Sequence, residues 1–209
     1  MTLSKSLYIR GLQCEKSLWL KKKKPEVLQA PDDGEQAVFD TGTSVGELAC
    51  ELFSGGERIE YTGDFSSQIA KTKELIKHGA KVIYEATFCF EGILVMVDIL
   101  CVGDDGLVIN EVKSSTSVKE VYIDDSAIQY YVLSSLGYKV SAVNIIHIDN
   151  SYVRGEKLEL EKFFHTEDVT EQIIQKQADI PQILSKFDEI LSKDVEPEID
   201  IGVQCANPY

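Results

Sequence analysis

The stretch KVIYEATFCFEGILVMVDILCVGDDGLVINEVK, residues 81–113, decides the fold. It holds three runs rich in Val, Ile and Phe, separated by Glu91-Gly92 and by Gly103-Asp104-Asp105-Gly106. β-Branched and aromatic residues favour extended backbone, and short breaks of Gly and Asp between such runs are hairpin signals. Three antiparallel strands are expected, at 82–90, 93–102 and 107–113. Alternation in the first puts Val82, Tyr84, Ala86 and Phe88 on one face and Ile83, Glu85, Thr87 and Cys89 on the other.

Upstream, 65–78 has helical spacing through Ile69, Ala70, Leu75 and Ile76, with Asp64 or Ser66 as its cap and Gly79 as its stop. A turn at Asp32–Gly34 precedes a second helical pattern over 35–53, ended by Gly55-Gly56. The opening, residues 4–20, reads as a short entry segment running into an apolar-faced helix that ends at Lys21–Lys24 and Pro25. Two readings of the four lysines stay open: a solvated helix end suited to the negative C-terminal dipole, or a phosphate-contact patch. Downstream, 126–136 reads as a helix ending at Gly137 and 140–148 as a strand. Weaker signals give a strand at 158–164 and helices at 169–178 and 181–193. A strand reached through a helical crossover lies parallel to its predecessor, so the order helix, three-strand meander, helix, strand predicts an α/β domain with a mixed sheet. Residues 1–34 form an N-terminal segment, 35–150 the core, and 151–209 a C-terminal helical extension packing on it.

Composition narrows the class. A hydrophobic content of 44% over 209 residues is that of a globular protein able to bury one sizeable core. No apolar run reaches the ~18 residues of a membrane span, and Lys5, Arg10, Glu15 and Lys16 interrupt any signal-peptide pattern, so no membrane partner and a cytoplasmic location are expected. Five scattered cysteines argue against a secreted disulfide framework. A formal charge of −14 argues against a sequence-independent coat on DNA, yet much of the acid lies between Glu156 and Asp200, which leaves room for a locally basic site.

The residues that invite chemistry sit in the deciding stretch. Asp98 stands among apolar neighbours, where a carboxylate is costly unless paired, protonated or set against a cation. Glu111 and Lys113, two residues apart on one strand, leave the same face, and the turn at 103–106 folds them back beside Asp98. Asp98, Glu111 and the carbonyl of Val112 offer the oxygen ligands that Mg²⁺ or Mn²⁺ takes, with Glu85 as a further acidic ligand and Lys113 positioned to orient water or offset charge on a phosphate. The alternative reading of the same three residues is a structural salt-bridge cluster.

Asp98, the tripeptide Glu111-Val112-Lys113 after a hairpin, and the following helix with Gln129-Tyr130-Tyr131 resemble the PD-(D/E)xK nuclease superfamily, in its RecB-like branch that includes CRISPR-associated exonucleases. The resemblance covers about residues 35–150 and implies a restriction-endonuclease-like αβββαβ core with a mixed central sheet flanked by helices. It implies a Mg²⁺- or Mn²⁺-dependent deoxyribonuclease of exonuclease character, acting on single- or double-stranded DNA, with protein partners in DNA repair, recombination or mobile-element defence. Gln129 would then reach towards the phosphate or the attacking water, and Tyr130 or Tyr131 would hold substrate, core packing being the other reading of each tyrosine. The family's first helix carries a metal-binding His, where this chain has Gly46 within Gly42-Thr-Ser-Val-Gly46-Glu47. Glu47 or Glu85 would complete the shell, while His78, His147 and His165 read as ordinary residues at a helix end, a strand end and a loop.

In the same branch, one N-terminal and three C-terminal cysteines hold an iron-sulfur cluster. Cys14, and Cys205 in Cys205-Ala-Asn-Pro-Tyr209, resemble the start of each half, which would make this chain the N-terminal part of a longer protein. Free thiols are the alternative. A metal-dependent DNA nuclease is thus expected, against an inactive module of the same fold that binds nucleic acid or a protein, or a hydrolase of another phosphoester.

Overall fold

In the computed structural model, which describes residues 2–30 and 32–206, a short strand β1 (Leu3–Ser4) leads directly into helices α1 (Lys5–Gln13) and α2 (Glu15–Lys23). Asn207–Tyr209, the end of the Cys205 stretch, lie outside the described residues. There follow α3 (Asp33–Cys50), β2 (Glu57–Arg58), α4 (Phe65–Lys77), β3 (Val82–Phe90), β4 (Ile93–Gly103) and β5 (Gly106–Lys113). The chain continues with α5 (Glu120–Ser135), β6 (Val140–Ile148), α6 (Leu160–Phe163), β7 (Phe164–Asp168), α7 (Thr170–Lys176), α8 (Ile180–Ser192) and α9 (Val203–Ala206). Among the described residues the strands form one seven-stranded mixed sheet in the order β2-β3-β4-β5-β6-β7, with β1 added to β4. The pairs β5–β6, β2–β3 and β1–β4 are parallel and the others antiparallel. The expected αβββαβ order around a central mixed sheet, with helices on its faces, is present.

Each face of the sheet buries its own apolar cluster. The larger joins Leu3, Ile83, Ala86, Val97, Leu100 and Ile109 to Ile123, Ile128 and Leu133 of α5 and Phe187 of α8. The smaller joins Val45 and Ala49 of α3 to Tyr84, Ile99, Ile146 and Phe164. The two chain ends meet on the first cluster. The Tyr8 and Phe187 rings stack edge to face, Trp19 Nε1 donates to the carbonyl of Lys193, and a side chain at Gly11 would run into Phe187.

The structure corrects several boundaries. Helix α3 starts at Asp33, inside the expected turn, with Gln36 N–H already donating to Asp32 O. Helix α5 starts at Glu120, six residues before the expected Ser126, and its first turns carry Asp124 and Asp125, which pair with Lys176 and Lys113. The entry segment is a strand and two helices broken at Cys14, whose extended backbone ends α1. The strand expected at 158–164 is instead the helical turn α6, and β7 begins where it ends. As a sheet-edge strand with mostly solvated side chains, His165-Thr166-Glu167, β7 carries no apolar alternation to read. The face assignment in β3 also changes. Tyr84 faces the smaller cluster, whereas Ala86 and Phe88 face the larger one together with Ile83. Glu85, at φ 57, reverses the pleat between them.

Candidate active site

The β3–β4 ladder runs from Val82↔Cys101 to Tyr84↔Ile99, skips Glu85 and Asp98, and resumes at Ala86↔Val97. The same phase change occurs in β4, where Val95 and Val97 face the larger cluster and Ile99 the smaller. A non-glycine residue at positive φ within a strand stores about 1–3 kcal/mol of strain, and such strain collects at functional sites. The β4–β5 ladder stops at the same level, at Ile99↔Asn110. Past that point the strands part, and β1 takes over the edge of β4 at Leu3↔Ile93 and Ser4↔Leu94. Because α1 begins at the next residue, with Ser4 Oγ capping Leu7 N–H, the side chain of Lys5 enters the gap.

The opened strands are held by side chains in place of ladder bonds. Val112 N–H donates to Asp98 Oδ2 at 2.8 Å. Lys5 Nζ lies 2.9 and 3.0 Å from the two oxygens of Glu111 and 3.8 Å from an oxygen of both Asp98 and Asp125. Lys113 Nζ lies 2.6 Å from Glu111 Oε1 and 2.6 Å from Asp125 Oδ2. Gln129, fully buried, donates to Glu111 Oε2 at 2.7 Å, and its own Oε1 has no partner among the described residues. Three carboxylates and two ammonium groups are thus interleaved. Glu111 is saturated by donors, whereas Asp98 Oδ1, among the described residues, meets only Lys5 at the longer distance.

The electrostatics follow from this arrangement. Burial, then the Glu111 charge, pushes Asp98 up to about 7. Burial alone would raise Glu111 as well, but Lys113 and Lys5 overcome it and hold Glu111 far below the usual carboxylate range. Burial would lower both lysines, and the surrounding carboxylates instead keep them firmly protonated: Asp125, Glu111 and Asp98 around Lys5, Glu111 and Asp125 around Lys113. Burial and then Glu111 raise Asp125 against the pull of Lys5, and burial raises Glu85.

Asp98, Glu111, Val112, Lys113 and Glu85 line one cleft of about 520 Å³. Its opposite wall is α3, through Val38, Phe39, Gly42, Gly46 and Glu47, and a Cβ built on Gly46 would meet nothing within 4 Å. A second cleft of about 480 Å³ shares Val38, Lys113 and Ser114 with the first and carries Lys5, Asp125 and Tyr122. The structure therefore brings together Asp98, Glu111, Lys113, Gln129, the Val112 backbone and Glu85. It does not bring Tyr130 and Tyr131 to either cleft: both pack against the larger core, Tyr131 edge-on to Phe90. The aromatic at the site is Tyr122, whose ring faces Lys113 Nζ at 5.3 Å. Lys5, Asp125 and Tyr122 escaped the sequence reading. Asp125 had one available signal, its place one helical turn before Gln129.

Gln13 Nε2 donates to the carbonyl of Gln204 at 2.9 Å, so the segments carrying Cys14 and Cys205 adjoin. Cys50, Cys89 and Cys101 lie elsewhere, on α3, β3 and β4. Of the four lysines after α2's apolar face, Lys23 pairs with Asp194, and Lys24 pairs with Glu196 and covers Trp19, while Lys21 and Lys22 border a groove with Arg10. No helix is long and apolar enough to cross a membrane among the described residues.

No protein-family model matches the sequence, and no curated protein sequence matches it. Among solved structures, the chain is similar to an alkaline exonuclease, LHK-Exo, from Laribacter hongkongensis, with 14% identity over 91% of this chain and 90% of that one at a TM-score of 0.47. It is also similar to the protein SSO0001, with 12% identity over 79% of this chain and 84% of that one at a TM-score of 0.28. Likeness at this level assigns no residue and no chemistry, which rest on the geometry above.

Proposed function

We propose that this chain is a divalent-metal-dependent nuclease that hydrolyses phosphodiester bonds in DNA, with exonuclease character as in the RecB-like branch it resembles. The observation that carries the reading is the ammonium of Lys5, a cation held among Asp98, Glu111 and Asp125 where the sheet opens. Three carboxylates gathered where the strands part make a place for positive charge, and an all-oxygen donor set suits Mg²⁺ or Mn²⁺. Asp98, Glu111 and the Val112 carbonyl would hold the ion, with Glu85 and Glu47 as further carboxylates on the cleft. When bound, such an ion acidifies a water and polarises a phosphoryl oxygen. The chain's own residues do the rest. Val112 N–H fixes Asp98 Oδ2 and leaves Oδ1 for the cleft, Gln129 and Asp125 hold Glu111 and Lys113 in place, and Lys113 offsets the charge that builds on the phosphate. Lys5 has to move aside for the ion, after which it becomes a second positive group for the substrate. An iron-sulfur cluster takes four thiolates; Cys14 and Cys205, on adjoining segments, would supply two of them, and further C-terminal cysteines of a longer protein would supply the others.

One observation favours a second reading, a non-catalytic module of the same fold. The oxygens of Glu111 are fully engaged by Lys5, Lys113 and Gln129, as in a structural ion-pair cluster. A cleavage assay on linear single- and double-stranded DNA with Mg²⁺ or Mn²⁺ separates the two. The nuclease degrades substrate only with metal, and Lys113→Ala and Glu111→Ala abolish this while the variants still fold. Absence of cleavage by the unaltered chain with either metal would leave the binding module.

A further inference from the structure

Outside the residues that line those two clefts, β6 and β7 pair antiparallel with His147 opposite His165 and Ile145 opposite Glu167. Their rings lie 5.3 Å apart, centroid to centroid, tilted by 52°. His147 is buried, and its Nδ1 is 3.1 Å from the carbonyl of Ile148. A carbonyl only accepts, so Nδ1 carries the proton and Nε2 of the neutral ring presents its lone pair. That Nε2 is 4.0 Å from Glu167 Oε2. One ligand atom from each of His147, His165 and Glu167 lies within 4.8 Å of the other two, and among the described residues no other trio of His, Cys or acidic groups is gathered so closely. The ligand atoms of Asp98, Glu111 and Asp125 do not meet that spacing.

We propose that His147, His165 and Glu167 form a second cation site, one that takes a transition-metal ion of the Zn²⁺ class and clamps the edge strand β7 onto β6. Two imidazole nitrogens with one carboxylate are the donor set of Zn²⁺ and its neighbours, and a poor one for Mg²⁺. The Nδ1 bond to Ile148 O does what a backbone carbonyl does behind a metal-ligating histidine: it sets the tautomer and holds the ring. Three protein ligands leave a fourth tetrahedral position for water. The edge location explains why the clamp has work to do, since among the described residues β7 is paired on one side only. His147 also lies beside Lys113 in the parallel β5–β6 ladder, on the same face of the sheet, so an ion here would add positive charge next to the proposed nuclease site without sharing its ligands.

The test is calorimetric titration of the whole chain with Zn²⁺ alone, repeated for His165→Ala, Glu167→Gln and Asp98→Asn, with Co²⁺ absorption as a reporter of nitrogen coordination. His165 and Glu167 are not core residues, so their variants keep the fold, which circular dichroism verifies. The expected result is one high-affinity Zn²⁺ fewer in His165→Ala than in the unaltered chain, at least a tenfold weaker site in Glu167→Gln, and no change at that site in Asp98→Asn. Equal binding by the unaltered chain and His165→Ala, or no Zn²⁺ binding by the unaltered chain, would overturn the proposal. Neither outcome bears on the nuclease reading, which the cleavage assay tests separately.

Discussion

The hairpin β4–β5 is two different structures end to end. Near its turn, from Ile99↔Asn110 to Gly103↔Gly106, the ladder is closed and its interior is apolar or neutral: Leu100 and Ile109 are fully buried, and Asn110 donates to Ile99 O and accepts from Asn144. Beyond Ile99 the ladder is gone, and five charged side chains replace it. The closed half is stabilised by burial, which is indifferent to pH and ions. The open half is stabilised by mutual neutralisation, which is sensitive to both. A protein that needed only a stable sheet would gain by closing it, because well-packed apolar residues serve as well as buried ion pairs or better. The open half is therefore where function is to be sought.

The contrast is sharpest at the centre of the charge cluster. Glu111→Ala leaves Lys5, Lys113 and Gln129 without their shared acceptor and should cost about 3–5 kcal/mol in urea or thermal unfolding, along with all cleavage. In the closed half, Leu100→Ala opens a cavity and should cost about 2–5 kcal/mol, with no dependence on pH or metal. If the two penalties changed alike when pH or Mn²⁺ was varied, the division into two halves would be lost.

Lys5→Met comes next. Removing the ammonium leaves Asp98, Glu111 and Asp125 with less counter-charge and should cost about 2–4 kcal/mol in the absence of divalent ions. If Lys5 stands where a cation belongs, Mn²⁺ should raise the melting temperature of Lys5→Met more than that of the unaltered chain, because the ion no longer has to displace a lysine. Equal shifts in both would make Lys5 a structural tether only.

Asp98→Asn gives a smaller effect with a distinctive sign. Asp98 has a folded-state value of about 7 against an ordinary 3.8, so the folded chain binds the extra proton between those values and this group's contribution to stability falls as pH rises through them. Glu111 works the other way: its depressed value adds stability above its ordinary 4.5, which is lost as pH falls. Asparagine imitates the protonated carboxyl and keeps the acceptor for Val112 N–H. The stability of Asp98→Asn relative to the unaltered chain should accordingly grow by about 1–3 kcal/mol from pH 4 to pH 8 without metal. A flat or falling difference would mean that Asp98 is already neutralised by Lys5.

These contrasts also mark what the sequence can disclose. The three strands of residues 81–113 were legible almost to the residue because long apolar runs between tight turns are a local signal, and Glu111 and Lys113 were legible because they lie in them. The pleat reversal at Glu85 was not, since no composition rule announces a glutamate at positive φ inside a strand. Lys5 reaches Glu111 across 106 positions of sequence, and no periodicity links them. Asp125 was hidden in another way. Helix α5 is buried around most of its surface, so it lacks the apolar stripe that would have placed its first turns in a helix.

The smallest change probes the wall opposite the carboxylates. Gly46 lies within α3 and faces the cleft with open space where a Cβ would stand. Glycine inside a helix is about 1 kcal/mol less favourable than alanine, and histidine is intermediate, so Gly46→His should leave stability level or up to about 0.5 kcal/mol higher. It would also place an imidazole across the cleft from Asp98. If a divalent ion is held there, Mn²⁺ should bind the variant more tightly, by up to about tenfold, or 1.4 kcal/mol, with the gain lost again in the double variant with Asp98→Asn. A gain that survived that second substitution would place the ion elsewhere on the molecule. No gain at all would mean that α3 and the opened strands stand too far apart to share an ion, leaving Asp98, Glu111 and Glu85 to hold it from the sheet side alone.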